Sequence, residues 1–273
     1  MSHPRISAFA SSADGNAPAI RVIEGQATLQ GRTDHEIGLD TVHDEIVAAN
    51  PFAQAILIFR GGANGEEAPV RVIQGPKTQL GYTDNVTVDG EHGEIYTAQF
   101  RTDAILVYSR EPAGDEAPIR IIHGPHTKLD RPERVSVDPV NNLLAVTTVQ
   151  GLWIFDRTAN GDVPPKYIIA GPKTGIGGEG RRLATVILSP LGRKIIVTGE
   201  KEGSKEEGGQ KGSFVGIWNY GDNGDVPPAA ILNASKITKM VRASSLALNP
   251  DSKELIMISA GDILFYRMPE IFQ

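Results

Sequence analysis

"GDEAPIRIIHGPHTKL" spans residues 114–129, and "GEEAPVRVIQGPKTQL" at 65–80 and "GDVPPKYIIAGPKTGI" at 161–176 restate it nearly residue for residue. A further copy, "GNAPAIRVIEG", begins at Gly15, and a degraded one, "GDVPPAAILNA", begins at Gly224. Successive copies start 50, 49, 47 and 63 residues apart. A period of this length signals a repeat architecture, in which each copy is one supersecondary unit leaning on its neighbours.

The same four events fill each interval. A short apolar run ends in Asp or a substitute: "EIGLD", "NVTVD", "RVSVD", "TVILSP", "SLALNP". A polar turn leads to a second run, as in "EIVAAN", "EIYTAQ" and "LLAVTT", and then to an aromatic third, as in "AILIFR", "AILVYS" and "GLWIFD". The fourth is the opening phrase itself. Every run is short, β-branched or aromatic, and bounded by Gly, Pro, Asp or Asn, which is strand-and-turn writing with no helical period. Proline at the head of the fourth run suits an edge strand, where a missing N–H costs no ladder bond. The repeat therefore predicts four-stranded antiparallel sheets, and radial repetition of such sheets makes a β-propeller. The expected fold is all-β, one propeller domain over 1–273. Five pairs of first and second strands favour five blades, with "AIRVI" (19–23) closing the ring as the outer strand beside "DILFYR" (262–267). That leaves the aromatic strand "ISAFAS" (6–11) over, and a degenerate sixth blade is the alternative.

"DGEHGEIYTAQFRTDAILVYSR" and "DPVNNLLAVTTVQGLWIFDRTANGDVPP" resemble the NHL and YVTN classes of propeller repeat. The resemblance covers nearly the whole chain and speaks to fold. It says little of function, since such propellers include scaffolds, lactonases, lyases and ligand binders. It implies that the loops entering the inner strands, and those joining second to third strands, meet at one face around a channel.

Composition narrows the chemistry. With no Cys among 273 residues, disulfides, thiolate metal sites and cysteine nucleophiles are excluded. A net charge of −6 without a basic tract argues against nucleic acid. No apolar run is long enough for a membrane-spanning helix. The start, "MSHPRISAFASSADG", lacks a signal-peptide layout, so a soluble, cytoplasmic protein is expected.

On the face that the resemblance implies, the junctions read "GRTDHE" (31–36), "GYTDN" (81–85), "DRPER" (130–134), "GEGRRLAT" (178–185) and "KMVRASS" (239–245). Phe52, Gln99, Phe100, Arg101 and Gln150 lie on second-to-third loops. Arg32, Arg131, Arg134, Arg182 and Arg242 crowd the junctions of an acidic chain, and guanidinium forks suit carboxylate or phosphate. The expected site is a mouth lined by Glu36, Asn85, Gln99, Arg101, Glu133, Arg134, Arg182 and Arg242, binding a small anionic molecule or peptide without turnover. Ion pairing between blades is the competing reading. An enzymatic alternative uses the same mouth. Gluconolactonase-like and streptogramin-lyase-like propellers imply a calcium or magnesium site, for which Glu36, Asp84, Asn85 and Glu133 offer oxygen ligands. Thr185 and Ser245 replace acids in the remaining blades, so no cofactor is favoured. A metal-free cyclase or isomerase pocket, working by positioning alone, also stays open. His35 and Glu36 are the candidates for acid–base work; a turn cap is the other reading of His35. His123 and His126 are expected to be architectural, and His43 and His92 to carry no chemistry. The polar insert 200–213 reads as a lid or a solvated hairpin tip.

Overall fold

A computed structural model describes residues 4–32, 36–83, 85–111, 113–177, 183–201, 212–233, 243–259 and 262–273. The chain is all-β. After β1 (Arg5–Ala8) and β2 (Arg21–Glu24), the first blade comprises β3 (Ile37–Asp40), β4 (Glu45–Asn50), β5 (Ala55–Arg60) and β6 (Arg71–Gln74). The second comprises β7 (Thr87–Asp89), β8 (Glu94–Gln99), β9 (Ala104–Ser109) and β10 (Arg120–Ile122); the third comprises β11 (Arg134–Asp138), β12 (Leu143–Thr148), β13 (Gly151–Asp156) and β14 (Tyr167–Ile169). The fourth comprises β15 (Leu183–Ser189), β16 (Lys194–Lys201), β17 (Gly212–Asn219) and β18 (Ala230–Asn233). The fifth comprises β19 (Ala243–Asn249), β20 (Glu254–Ser259) and β21 (Asp262–Arg267). Each blade is a meander in sequence order, and these are the five antiparallel blades of a β-propeller.

Two compact units make up the chain: Met1–Arg101 with Leu106–Ile119, and Thr102–Ile105 with Arg120–Gln273. In the first, Ile23, Ile46, Leu57 and Phe59 form a core cluster that Ile6 and Val72 flank. In the second, Leu152, Ile154, Val197 and Trp218 belong to one cluster and Val215, Leu255, Met257 and Phe272 to another. Middle strands such as β4 and β12 are buried at every position, so both faces are covered. Strands covered on both faces read as continuous apolar runs rather than as alternation.

The strand-ending aspartates close the turns that follow. Asp40 Oδ1 accepts the N–H groups of Val42 and His43, each at 3.0 Å, while its Oδ2 lies 2.9 Å from His43 Nδ1. Asp89 holds His92 in the same way, and Asp138 holds Asn141. His43 and His92 are turn clamps.

The repeated phrase is a clasp between consecutive repeats. Gly65 donates its N–H to Val22 C=O at 2.7 Å and accepts from Glu24 N–H at 3.1 Å; Gly114 does the same with Val72 and Gln74. Gly161 and Gly224 repeat the exchange with the third-strand partners β10 and β14. These glycines sit at φ between 65° and 84°, where a side chain would be strained. The very next residue then reaches across. Asp115 Oδ1 accepts from Lys77 N–H at 2.6 Å, Asp162 from His126 at 2.7 Å and Asp225 from Lys173 at 2.7 Å. The approach is so close that a Cβ on Gly75 would lie 2.5 Å from Asp115 Oδ1. The buried Thr28, Thr78, Thr127 and Thr174 each donate a 2.6 Å hydroxyl bond back to the preceding Gly carbonyl. His126 thus occupies a Lys position in the clasp, with Nδ1 2.6 Å from Asp162. His123 Nδ1 meets the Asp103 carbonyl at 3.2 Å. Both are architectural.

The expected closure by "AIRVI" is not what forms. β2 pairs with β1 in the register Ile6↔Ile23, and β21 pairs with β20 as the edge of a three-stranded blade. The reason is local. In each of the first four blades the phrase-borne fourth strand returns onto the third strand just before it, and β1 is that strand for β2. "ISAFAS" is therefore β2's own partner, not a surplus strand. β21 keeps Ile263 and Phe265 44% and 50% exposed. The insert lies mostly outside the described residues, but its flanks extend the β16–β17 hairpin to Lys201↔Gly212.

Candidate functional site

Within the first unit, the ends of β4 and β8 organise the loops around residues 50–54 and 81–85. Asn50 is buried; its Nδ2 donates to Leu29 C=O at 2.8 Å and its Oδ1 accepts from Ala53 N–H at 3.3 Å. One blade on, Gln99 is only 2% exposed. Its Oε1 accepts from Gly81 N–H at 2.8 Å and its Nε2 donates to Thr83 Oγ1 at 2.7 Å. Thr97 Oγ1 donates to Asn85 C=O at 2.7 Å, and Asn85 Nδ2 donates to Glu36 Oε2. The buried amides expected to face a ligand are thus committed to fixing the junction.

What the junction presents is aromatic and cationic. Tyr82 stands between the two residues that Gln99 holds. Phe52 packs edge-to-face on it, centroids 5.8 Å apart at 82°, and the Arg101 guanidinium lies 6.0 Å from the Tyr82 ring centroid. Phe52 is 68% exposed, and Phe100 stands half-exposed on the Arg101 loop. Among the described residues no carboxylate pairs with Arg101. The stack is worth about 0.5–1 kcal/mol at an exposed site, enough to bias the guanidinium toward one position. Sequence reading placed Arg101 here but passed over Tyr82. The available signal was an aromatic in each otherwise polar loop: "NPFAQ", "GYTDN" and "QFRTD".

At the other ends of these strands, a cavity of about 330 Å³ is lined by residues including His43, Glu91, His92 and Arg110. Arg110 is consumed by acids there: its Nη2 meets Glu45 at 3.1 Å, its Nε lies 3.6 Å from Asp40, and its Nη1 binds Glu111. Burial would raise the Glu45 pKa, but hydrogen bonds and charge from Arg71 and Arg110 outweigh it and hold the carboxyl below its ordinary value.

In the second unit, Arg134 is half-buried. Its N–H donates to Thr147 Oγ1 at 3.0 Å and its Nη1 to the Glu133 carbonyl at 3.2 Å. Arg131 pairs with Asp130 at 3.2 Å. His35, Asp84, Arg182 and Arg242 lie outside the described residues. Among the described residues no group of three or more His, Asp or Glu side chains is placed to hold a metal ion, and no helix is long and apolar enough to cross a membrane.

No family model matches the chain, and no curated protein matches its sequence. Solved structures do match it. It is similar to Kuenenia stuttgartiensis hydrazine synthase, with a TM-score of 0.59 and 12% identity over 84% of this chain and 56% of that one. It is similar to a chain of the mitotic checkpoint complex, with a TM-score of 0.60 and 12% identity over 92% of this chain and 65% of that one. A putative 6-phosphogluconolactonase from Bacteroides uniformis gives a TM-score of 0.59 and 14% identity over 94% and 72%. The chain spans just over half of the hydrazine synthase chain. All three are propeller folds, and at these identities the likeness is one of fold.

Proposed function

We propose that this propeller is a non-enzymatic binding module of NHL or YVTN repeat type that takes a small anionic molecule or peptide at the Arg101 junction. The observation that carries this is the Arg101 guanidinium, seated over Tyr82 with no carboxylate partner among the described residues. A guanidinium supported from behind by an aromatic ring keeps its donors for a carboxylate or phosphate. Gln99 and Asn85 act as the frame rather than as ligands.

A second reading places turnover at the same junction, in a lactonase-like hydrolase or lyase. The likeness to a putative 6-phosphogluconolactonase supports it. A melting screen with small carboxylates, inorganic phosphate, calcium and magnesium separates the two. The binding reading expects stabilisation by organic anions without metal, and retained stabilisation in chelator. Stabilisation by a divalent cation alone would favour the enzyme.

A further inference from the structure

We infer that the Arg101 junction selects a planar aromatic carboxylate, with the ring seated on Phe52 and the carboxylate on Arg101. This rests on the anion-binding reading and names the ligand class for the same junction. Three observations point to it. Phe52 leaves 68% of its surface open at the tip of a loop while making an edge-to-face contact with Tyr82. Tyr82 carries Phe52 and Arg101 together, at 5.8 and 6.0 Å from its ring centre, so an apolar platform and a cation share one support. The support is built from beneath, because buried Gln99 bonds the residues on both sides of Tyr82.

The chemistry follows from that pairing. A simple anion engages only the guanidinium and leaves the Phe52 face wet. A flat apolar group beside the carboxylate also covers that face, adding ring stacking and apolar burial. A saturated ring of equal bulk gains the burial without the stacking. Preference therefore runs from aryl to cycloalkyl to plain carboxylate.

The test is an NMR titration of the full chain with 1-naphthylacetate, cyclohexylacetate and acetate. The wild type is expected to bind 1-naphthylacetate about tenfold or more tightly than acetate, with cyclohexylacetate between. Phe52→Ala is expected to bring naphthylacetate within about threefold of acetate while leaving acetate affinity unchanged; Phe52→Tyr keeps the preference. Because Phe52 is exposed, the Ala variant should melt with the wild type. Equal binding of the three acids, or a preference that survives Phe52→Ala, overturns the aromatic subsite and leaves the anion reading standing. Failure of all three to bind sinks both.

Discussion

Gln99 shows what one buried amide contributes. It spends its acceptor on Gly81 and its donor on Thr83, so Gln99→Ala leaves a buried hydroxyl and an amide N–H without partners. Such a loss costs about 1–3 kcal/mol, and chemical denaturation should show it as a lowered midpoint with unchanged slope. Arg101→Gln should behave oppositely. Arg101 is itself exposed and its neighbour is a half-buried ring rather than a buried charge, so stability should move by no more than about 0.5 kcal/mol while anion affinity falls. Sequence reading found both positions by their place in the repeat. It could not assign their roles, because a glutamine's partners depend on where the chain returns, and "GYTDN" gives no sign that its backbone would claim Gln99.

At the scale of the element, the repeated phrase is a clasp, and its glycines are its tightest requirement. Gly114→Ala places a side chain at φ 84°, which costs about 1–2 kcal/mol in the left-handed region. The same change at an exposed glycine of ordinary φ should cost far less, and paired melting curves check this. The network on β4 gives a pH prediction. Glu45 has a depressed pKa in the folded chain, so its contribution is fully present above the ordinary carboxylate pKa and is lost as pH falls through the depressed value. Glu45→Gln should flatten that acid limb and cost about 1.5 kcal/mol at neutral pH, the low end for losing hydrogen bonds to charged groups, because the contacts are part-buried and Arg110 keeps Asp40 and Glu111. An acid limb identical to that of the wild type would show that Glu45 is not what titrates. Strands and clasps were legible because five copies spell them out. The choice of partner for β2 was not, because "ISAFAS" and "DILFYR" are both aromatic strands and only contiguity distinguishes them.

For the whole molecule, propeller architecture explains why so little of the sequence advertises chemistry: the repeated residues are occupied with turns, clasps and cores. The 63-residue interval departs from the period through an insert whose flanks already pair as Lys201↔Gly212. Replacing 202–211 by Asn-Gly, which suits a two-residue hairpin, should leave the melting temperature unchanged. A marked drop would mean that the segment packs. What remains after the architecture is subtracted includes the Arg101 guanidinium on its aromatic support, without a carboxylate partner among the described residues, and a binding role stands or falls there. The most direct measurement is calorimetric titration of succinate and inorganic phosphate into the wild type and Arg101→Gln. Saturable binding of at least one anion to the wild type, weakened in the variant by about 1.5 kcal/mol or more as for a charge-assisted bond, is the predicted result. Equal affinities in the two proteins with identical melting, or no binding to either, would contradict it.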